Sequence, residues 1–302
     1  MRLRLLECRA PFSLTPDSAW ELSQPGNDSL ARQAVPVFHC VQNRGGPSLG
    51  RTEMVLKFAD NRDPTSYASR LRARRHEWFR AFISDLPRPL TLLDVGGTQA
   101  VWETLGFVNQ PDIQITLINV EPHATSYPNL SSIRGDARDM RQFRKHQFDV
   151  VYSNSVIEHV GDLDDMRRMA REVRRVGKSY FVQTPYRYFP IEPHFVFPFF
   201  HFLPRPLQIA LVQRFHLGWS EPKPERELAE QAVDSIRLLT LNEMRALFPD
   251  AHIKKERLFS LTKSLIAYKA TSVVGDLPAI EPECGRGRLA RQKDEENTLT
   301  LL

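Results

Sequence analysis

Cysteine is scarce in this chain: three residues in 302, Cys8, Cys40 and Cys284, with no CxxC pair and no metal-ligand spacing. An odd, scattered set excludes a disulfide framework and a thiolate metal centre, so no metal is expected and a reducing cytoplasm is the expected setting. Long apolar runs are missing as well. The most apolar stretch, HFVFPFFHFLPRPLQIALV at 194–212, is broken by Arg205, two histidines and three prolines, which disqualify it as a spanning helix. The amino terminus, MRLRLLECRAPFSLTP, reaches Glu7, Arg9 and Pro11 before seven apolar residues can accumulate, so no secretory signal is read. Charge of one sign is also in short supply. Forty-one basic residues against 36 acidic leave a net +5, too thin for the concentrated basic stripe of a nucleic-acid surface. No internal repeat is visible.

What is present is an ordinary globular composition, 41% hydrophobic and 25% charged, in a chain long enough to bury a full α/β core. Residues 1–53 show no sustained period and read as a disordered leader. Leu71, Trp78, Phe79 and Phe82 recur at helical spacing, which places the folded unit at 54–270, and 271–302 read as a second disordered tail. Within the unit, TLLDV (91–95), ITLINV (115–120), FDVVYS (148–153) and SYFVQTP (179–185) are short apolar runs bounded by turn residues. The helical pattern DLDDMRRMAREVRRV separates the last two, the rhythm of a parallel sheet covered by helices. Thr240 and Glu243 form a capping box opening a helix, and HIKKERLF and SLIAYKA read as two closing strands.

The first strand runs into Asp94 and then Gly96 and Gly97, a turn that lets a ligand approach the backbone. An acid there would repel a pyrophosphate but suits an ammonium group, and the third glycine of a dinucleotide site is absent. A cationic amino-acid cofactor is therefore favoured. The second strand ends in Asn119, Val120 and Glu121, and alternation places Asn119 and Glu121 on one face, available to a ribose diol. Asp136 in GDA could accept from an exocyclic amine. Ser153 and Asn154 stand at the carboxyl edge of the sheet, where open α/β folds place ligands.

With LLDVGGT, GDA and FDVVYSNSVIEHV in this order, the chain resembles the class I S-adenosylmethionine-dependent methyltransferases, the type 11 group in particular. The resemblance implies a doubly wound, mostly parallel seven-stranded α/β sheet of Rossmann-like class. It implies S-adenosylmethionine as cofactor, with Asp94, Gly96, Gly97 and Thr98 at its amino-acid end, Asn119 and Glu121 at the ribose, Asp136 and Ala137 at the adenine, and Ser153 and Asn154 alongside. The sequence departs from the family where Thr98 and Ala100 stand in place of later glycines and Asn119 in place of the ribose acid. His159 is the first candidate for a catalytic base and His194 the second, while Glu158 reads as structural.

After the fifth strand of that fold comes a helical, aromatic-rich insertion, 186–239, with Tyr186, Arg187, Glu192, His194 and His201 as polar members. Its phenylalanines either line an acceptor pocket, pack a small helical subdomain, or rest on a lipid surface through 194–212. The arginines of RLRARR (70–75) and RRMAREVRR (167–175) suggest an RNA face, but in the second run Asp164, Asp165 and Glu172 supply ion pairs instead. The expected activity is methylation of a small-molecule acceptor, O-methylation of a saccharide or other hydroxylated metabolite. The rival readings are a quinone or lipid methyltransferase and a non-catalytic methyltransferase-like scaffold.

Overall fold

Ser66 opens the first helix: its hydroxyl accepts the Ser69 amide at 3.0 Å and satisfies a donor that the first turn leaves free. That helix, α1 (Tyr67–Ser84), buries Leu71, Trp78, Phe79, Phe82 and Ile83 on one face. The computed structural model describes residues 66–271, apart from Trp219. The leader at 1–53, the stretch to 65 and the tail beyond Thr271 lie outside the described residues.

The chain then alternates: β1 (Leu90–Val95), α2 (Gln99–Leu105), β2 (Ile113–Asn119), β3 (Leu130–Arg134), β4 (Phe148–Asn154), α3 (Leu163–Val176) and β5 (Gly177–Pro185). A hairpin, β6 (Ile191–Glu192) with β7 (Phe197–Pro198), leads to α4 (Arg205–Arg214) and α5 (Arg226–Asp234). Then come α6 (Leu241–Leu247), β8 (His252–Leu258) and β9 (Leu261–Lys269). The main sheet has seven strands in the order β3-β2-β1-β4-β5-β9-β8. β1 to β5 pair in parallel, whereas β9 runs antiparallel to both β5 and β8. This is the doubly wound, Rossmann-like sheet that the resemblance implies. β3 (LSSIR) was not readable from the pattern, because a polar edge strand with one buried residue leaves no apolar run.

Each face of the sheet has its own core. Trp78, Phe79, Phe82 and Trp102 from α1 and α2 pack on Leu92, Leu117, Tyr152 and Phe181. Met166, Met169, Ala170 and Val173 from α3, with Met244 and Leu247 from α6, cover Leu93, Val151 and Val182 on the other side. Side chains of this size contribute roughly 1.5–3 kcal/mol each when fully buried. The start of α6 follows the sequence, and α3 opens on a cap not singled out there. Asp162 accepts the amides of Asp164 and Asp165, and Thr240 and Glu243 close a capping box in both directions. The α3 arginines pair at i,i+3 as expected, Arg167 with Asp164 at 2.5 Å and Arg175 with Glu172 at 2.6 Å.

Of the roles expected for the aromatic insertion, packing of a small subdomain is the one seen. Phe195 and Phe200 are buried with Ile209, Val212, Leu217, Ala229 and Ala232 in a third cluster of its own. Phe199 and Phe202 are 57% and 47% exposed. Among the described residues no helix is long and apolar enough to cross a membrane.

Candidate functional site

β1 pairs with β2 on one side and β4 on the other, so the chain winds away from it in both directions. In such sheets the connections diverge at the carboxyl ends of the two strands and leave a crevice between them. The sequence candidates from β1, β2 and β4 all end at this edge.

Asp94 lies under the turn rather than in the open. Its side chain is buried, and Oδ2 accepts the Trp102 indole N–H at 2.8 Å. Oδ1 has no partner. The carboxylate is pressed so closely against Gly97 that a Cβ built there would fall 1.6 Å from Oδ2, so only glycine lets the turn cross the acid. Gly96 has φ of 77°, the left-handed region that glycine adopts without strain, and its Cβ would stand 2.5 Å from a Val156 methyl. Burial pushes the Asp94 carboxyl up to about 7, against the opposing hydrogen bond from Trp102. Across the strand pair, Tyr152 is in register with Asp94, and its buried hydroxyl also lacks a partner. Neither Trp102 nor Tyr152 stood out in the sequence, though Trp102 sits where α2 turns back over the strand end.

A ring of hydrogen bonds joins the loops. Asn119 is buried at the end of β2 and donates through Nδ2 to the Gly97 carbonyl at 3.0 Å. Its own carbonyl accepts the Gly135 amide at 2.9 Å, which brings the GDA loop alongside. Asp136 is held by Arg138 through both oxygens, at 3.0 and 2.7 Å, and Arg138 reaches the Val160 carbonyl at 3.3 Å. Burial opposes ionisation of Asp136, but the Arg138 contacts outweigh it and hold its carboxyl below the usual range. Ala137 is half-buried beside it, and Thr98 is exposed at the start of α2, with no side-chain cap bond. Glu121 differs from expectation: β2 ends at Asn119, so strand alternation does not extend to Glu121, which is exposed in the following loop.

On β4, Ser153 is buried and donates to the Val95 carbonyl at 3.2 Å, tying the two central strand ends together. Asn154 accepts from Arg75 at 2.6 Å. Arg75 is therefore not part of a basic surface. It lies among the apolar residues of α1, four positions after Leu71 and four before Phe79, and pairs with the buried Glu256 at 2.8 Å. Neither this burial nor the partner in β8 was legible in the sequence.

The turn after β4 and the insertion meet at a second cluster. Glu158 is fully buried; Oε2 accepts from Thr184 at 3.0 Å and Oε1 has no partner. His159 directs Nδ1 to the Ser235 carbonyl at 3.3 Å. His194 directs Nδ1 to Glu192 at 2.6 Å, and the two imidazoles stand edge to face with centroids 4.7 Å apart. Burial pushes Glu158 up to about 7, although His194 and the Thr184 hydrogen bond oppose it. Burial, helped by His194, holds His159 down to about 3. Burial also opposes charge on His194, but Glu192 outweighs it and raises the ring above its ordinary value. The sequence pointed to His159 and His194 separately; Glu192 and Thr184, which orient the cluster, were not singled out for that role.

Residues 93–180 match the family model described as Methyltransferase domain. No curated protein matches the chain. Among solved structures, a proposed O-methyltransferase from Nostoc punctiforme is 14% identical, with TM-score 0.39, over 71% of this chain and 60% of its own. A chain in the complex of the Haloferax volcanii Trm112 methyltransferase activator with its proposed methyltransferase is 15% identical, with TM-score 0.41, over 72% of this chain and 97% of its own. A protein described as a Zn-dependent alcohol dehydrogenase from Rhodobacter sphaeroides is 11% identical, with TM-score 0.41, over 64% and 88%.

Proposed function

We propose that this chain, which carries a class I methyltransferase domain, binds S-adenosylmethionine at the β1–β4 crevice and methylates a small hydroxylated acceptor, an O-methylation. The observation that carries the cofactor assignment is the buried Asp94 carboxylate with one oxygen unpartnered beneath a turn that only glycine can form. A buried acceptor left without a donor is costly, and a cofactor bearing an ammonium group supplies one. The residues therefore fit the cofactor.

When bound, S-adenosylmethionine supplies a methyl group already activated by a sulfonium. The protein's own residues bind and align. Asp94, Gly96, Gly97 and Thr98 receive the amino-acid end, with Ser153 and Asn154 beside them at the end of β4. Asn119 keeps the turn in place and, with the more distant Glu121, faces the ribose. Asp136 and Ala137 border the adenine. The insertion between β5 and α6 shields the acceptor side from water, and orientation of acceptor against methyl is the main source of rate.

His194, hydrogen-bonded to Glu192, is oriented as a proton acceptor for an acceptor hydroxyl, and His159 stands against it. Of the two, His194 holds a proton more readily, because Glu192 stabilises the imidazolium.

Calorimetric titration of the folded protein with S-adenosylmethionine tests the reading. One-site binding, together with transfer of tritiated methyl to a small-molecule fraction of cell extract, is the expected result. Absence of heat at a few hundred micromolar cofactor would favour the scaffold alternative. Transfer to a lipid-extractable fraction alone would favour a quinone or lipid acceptor, to which the exposed Phe199 and Phe202 are suited.

A further inference from the structure

We propose that Glu158, His159 and His194 form a binding site for one divalent first-row transition ion, zinc being its simplest occupant. The sequence carried no expectation of a metal, because its cysteines are scattered and the two histidines lie 35 positions apart. The fold brings them together. One donor atom of each of the three residues lies within 4.8 Å of the others. A tetrahedral ion with bonds of about 2.0–2.2 Å places its ligand atoms roughly 3.4 Å apart, so the three side chains need close by only an ångström or so.

Three further observations separate this cluster from a chance meeting of polar groups. First, Glu158 Oε1 is buried and unpartnered, and Glu158 is one of the three residues whose donor atoms come together; a buried acceptor left without a donor calls for a partner. Second, each imidazole already has its other nitrogen engaged. The Ser235 carbonyl can only accept, so His159 Nδ1 carries the proton and Nε2 keeps its lone pair. Glu192 does the same for His194 at 2.6 Å. Third, Glu192 is itself anchored by the backbone amides of His194 and Phe195 at 2.9 and 2.7 Å, and Glu158 by Thr184. An outer ring of carboxylate and carbonyl behind the histidines is the arrangement that orients metal ligands and raises their basicity.

Two imidazoles and one carboxylate select zinc, cobalt, manganese or iron over magnesium, which prefers oxygen donors and its own water. Three protein ligands leave a position open. Glu158 is two residues from Val156, whose methyls lie against Gly96, so the cluster sits on the chain segment that borders the turn assigned to the cofactor. An oxygen of the acceptor would complete the coordination. The ion's binding is independent of the methyl-transfer reading; only this use of the open position rests on it, and with the ion bound both Nε2 atoms are ligands, so the base role given to His194 applies to the metal-free protein alone.

The test uses the full chain stripped with a chelator and titrated with Co²⁺ alone, without cofactor. Expected are one equivalent bound, visible d–d absorption of a low-coordinate N/O site, and displacement by Zn²⁺ but not by millimolar Mg²⁺. Glu158→Gln and His194→Asn should each abolish the spectrum. Glu192→Gln, which leaves all three ligands in place, should weaken binding about 10–100-fold. Asp94→Asn should bind Co²⁺ as the parent does, so failure of the cofactor site and failure of the metal site are read separately. Circular dichroism checks that each variant folds, and should Glu158→Gln not fold, His194→Asn and Glu192→Gln carry the test. A wild-type protein without the Co²⁺ spectrum, a spectrum unchanged in the ligand variants, or displacement by Mg²⁺ as readily as by Zn²⁺ overturns the proposal.

Discussion

Arg75 in α1 and Glu256 in β8, 181 residues apart, close a two-pronged ion pair: Nε to Oε1 at 3.2 Å and Nη2 to Oε2 at 2.8 Å. The same guanidinium spans to Asn154 at 2.6 Å and Gln183 at 3.0 Å, so one side chain ties α1 to the ends of β4, β5 and β8. Ser264 also donates to Glu256, leaving the carboxylate well satisfied although fully buried. Removing one member strands a buried charge. Arg75→Met should cost about 3–5 kcal/mol by urea unfolding. The double variant Arg75→Met/Glu256→Met should recover much of that loss, because an apolar pair of similar volume carries no desolvation penalty. A double variant no more stable than the single one would contradict this account.

Cofactor affinity should depend on pH through Asp94. Its buried carboxyl titrates near 7, and the groups facing it are the Trp102 indole and the Tyr152 phenol, neither charged in this range. An ammonium ligand needs the carboxylate form, so binding below pH 7 must first remove a proton. Affinity should rise up to tenfold per pH unit toward 7 and then level until the ligand's own amine titrates near 8. Calorimetry between pH 5.5 and 7.5, in two buffers of different ionisation heat, should show proton release at the acid end. Asp94→Asn should bind more weakly at pH 7.5 with no slope; a flat profile in the parent would remove Asp94 from the ammonium site.

Acid should destabilise the fold through His76. Burial, with Arg75, Arg72 and Arg80 nearby, lowers this imidazole from 6.5 to about 4. The folded state therefore holds it neutral while the unfolded chain protonates it. The stability it confers is complete above pH 6.5 and lost as pH falls toward 4, up to about 3 kcal/mol. Asp94 and Glu158 act in the opposite sense, since their raised carboxyls favour the folded state as pH falls. Comparing the parent with His76→Gln isolates the histidine. The gap in unfolding free energy between pH 7 and 4.5 should be smaller in the variant, and equal gaps would assign acid sensitivity elsewhere.

How much of this could be read from the sequence follows from the range of each interaction. The strands TLLDV, FDVVYS and SYFVQTP, the Thr240 cap and the α3 ion pairs are local, so a short window carries them. Asp94 and its glycines were legible for the same reason. The polar edge strand β3 was not, and the alternation drawn through Glu121 overran the strand because nothing in ITLINVEP marks Asn119 as its last residue. The pairings Arg75–Glu256 and His159–His194 depend on which strands become neighbours. The run RLRARR read as a basic face, and only the closing strands, which bring Glu256 under α1, show that Arg75 is buried and paired.

Two glycines with different environments separate backbone strain from site geometry. Gly106 ends α2 with φ of 74° and has nothing within 4 Å of a built Cβ. Gly106→Ala should therefore cost only the left-handed penalty, about 1–2 kcal/mol, and leave cofactor affinity unchanged. Gly97 has no positive φ, but its Cβ would overlap the Asp94 carboxylate. In Gly97→Ala the acid must move, and the Trp102 hydrogen bond to Oδ2 breaks with it. A comparable stability loss, about 1–3 kcal/mol, is expected, but here with at least a tenfold fall in S-adenosylmethionine affinity. The contrast between the two variants is what tests the turn: if Gly97→Ala and Gly106→Ala lose stability alike and neither loses affinity, the Asp94–Gly97 contact is a folding feature and the cofactor lies elsewhere.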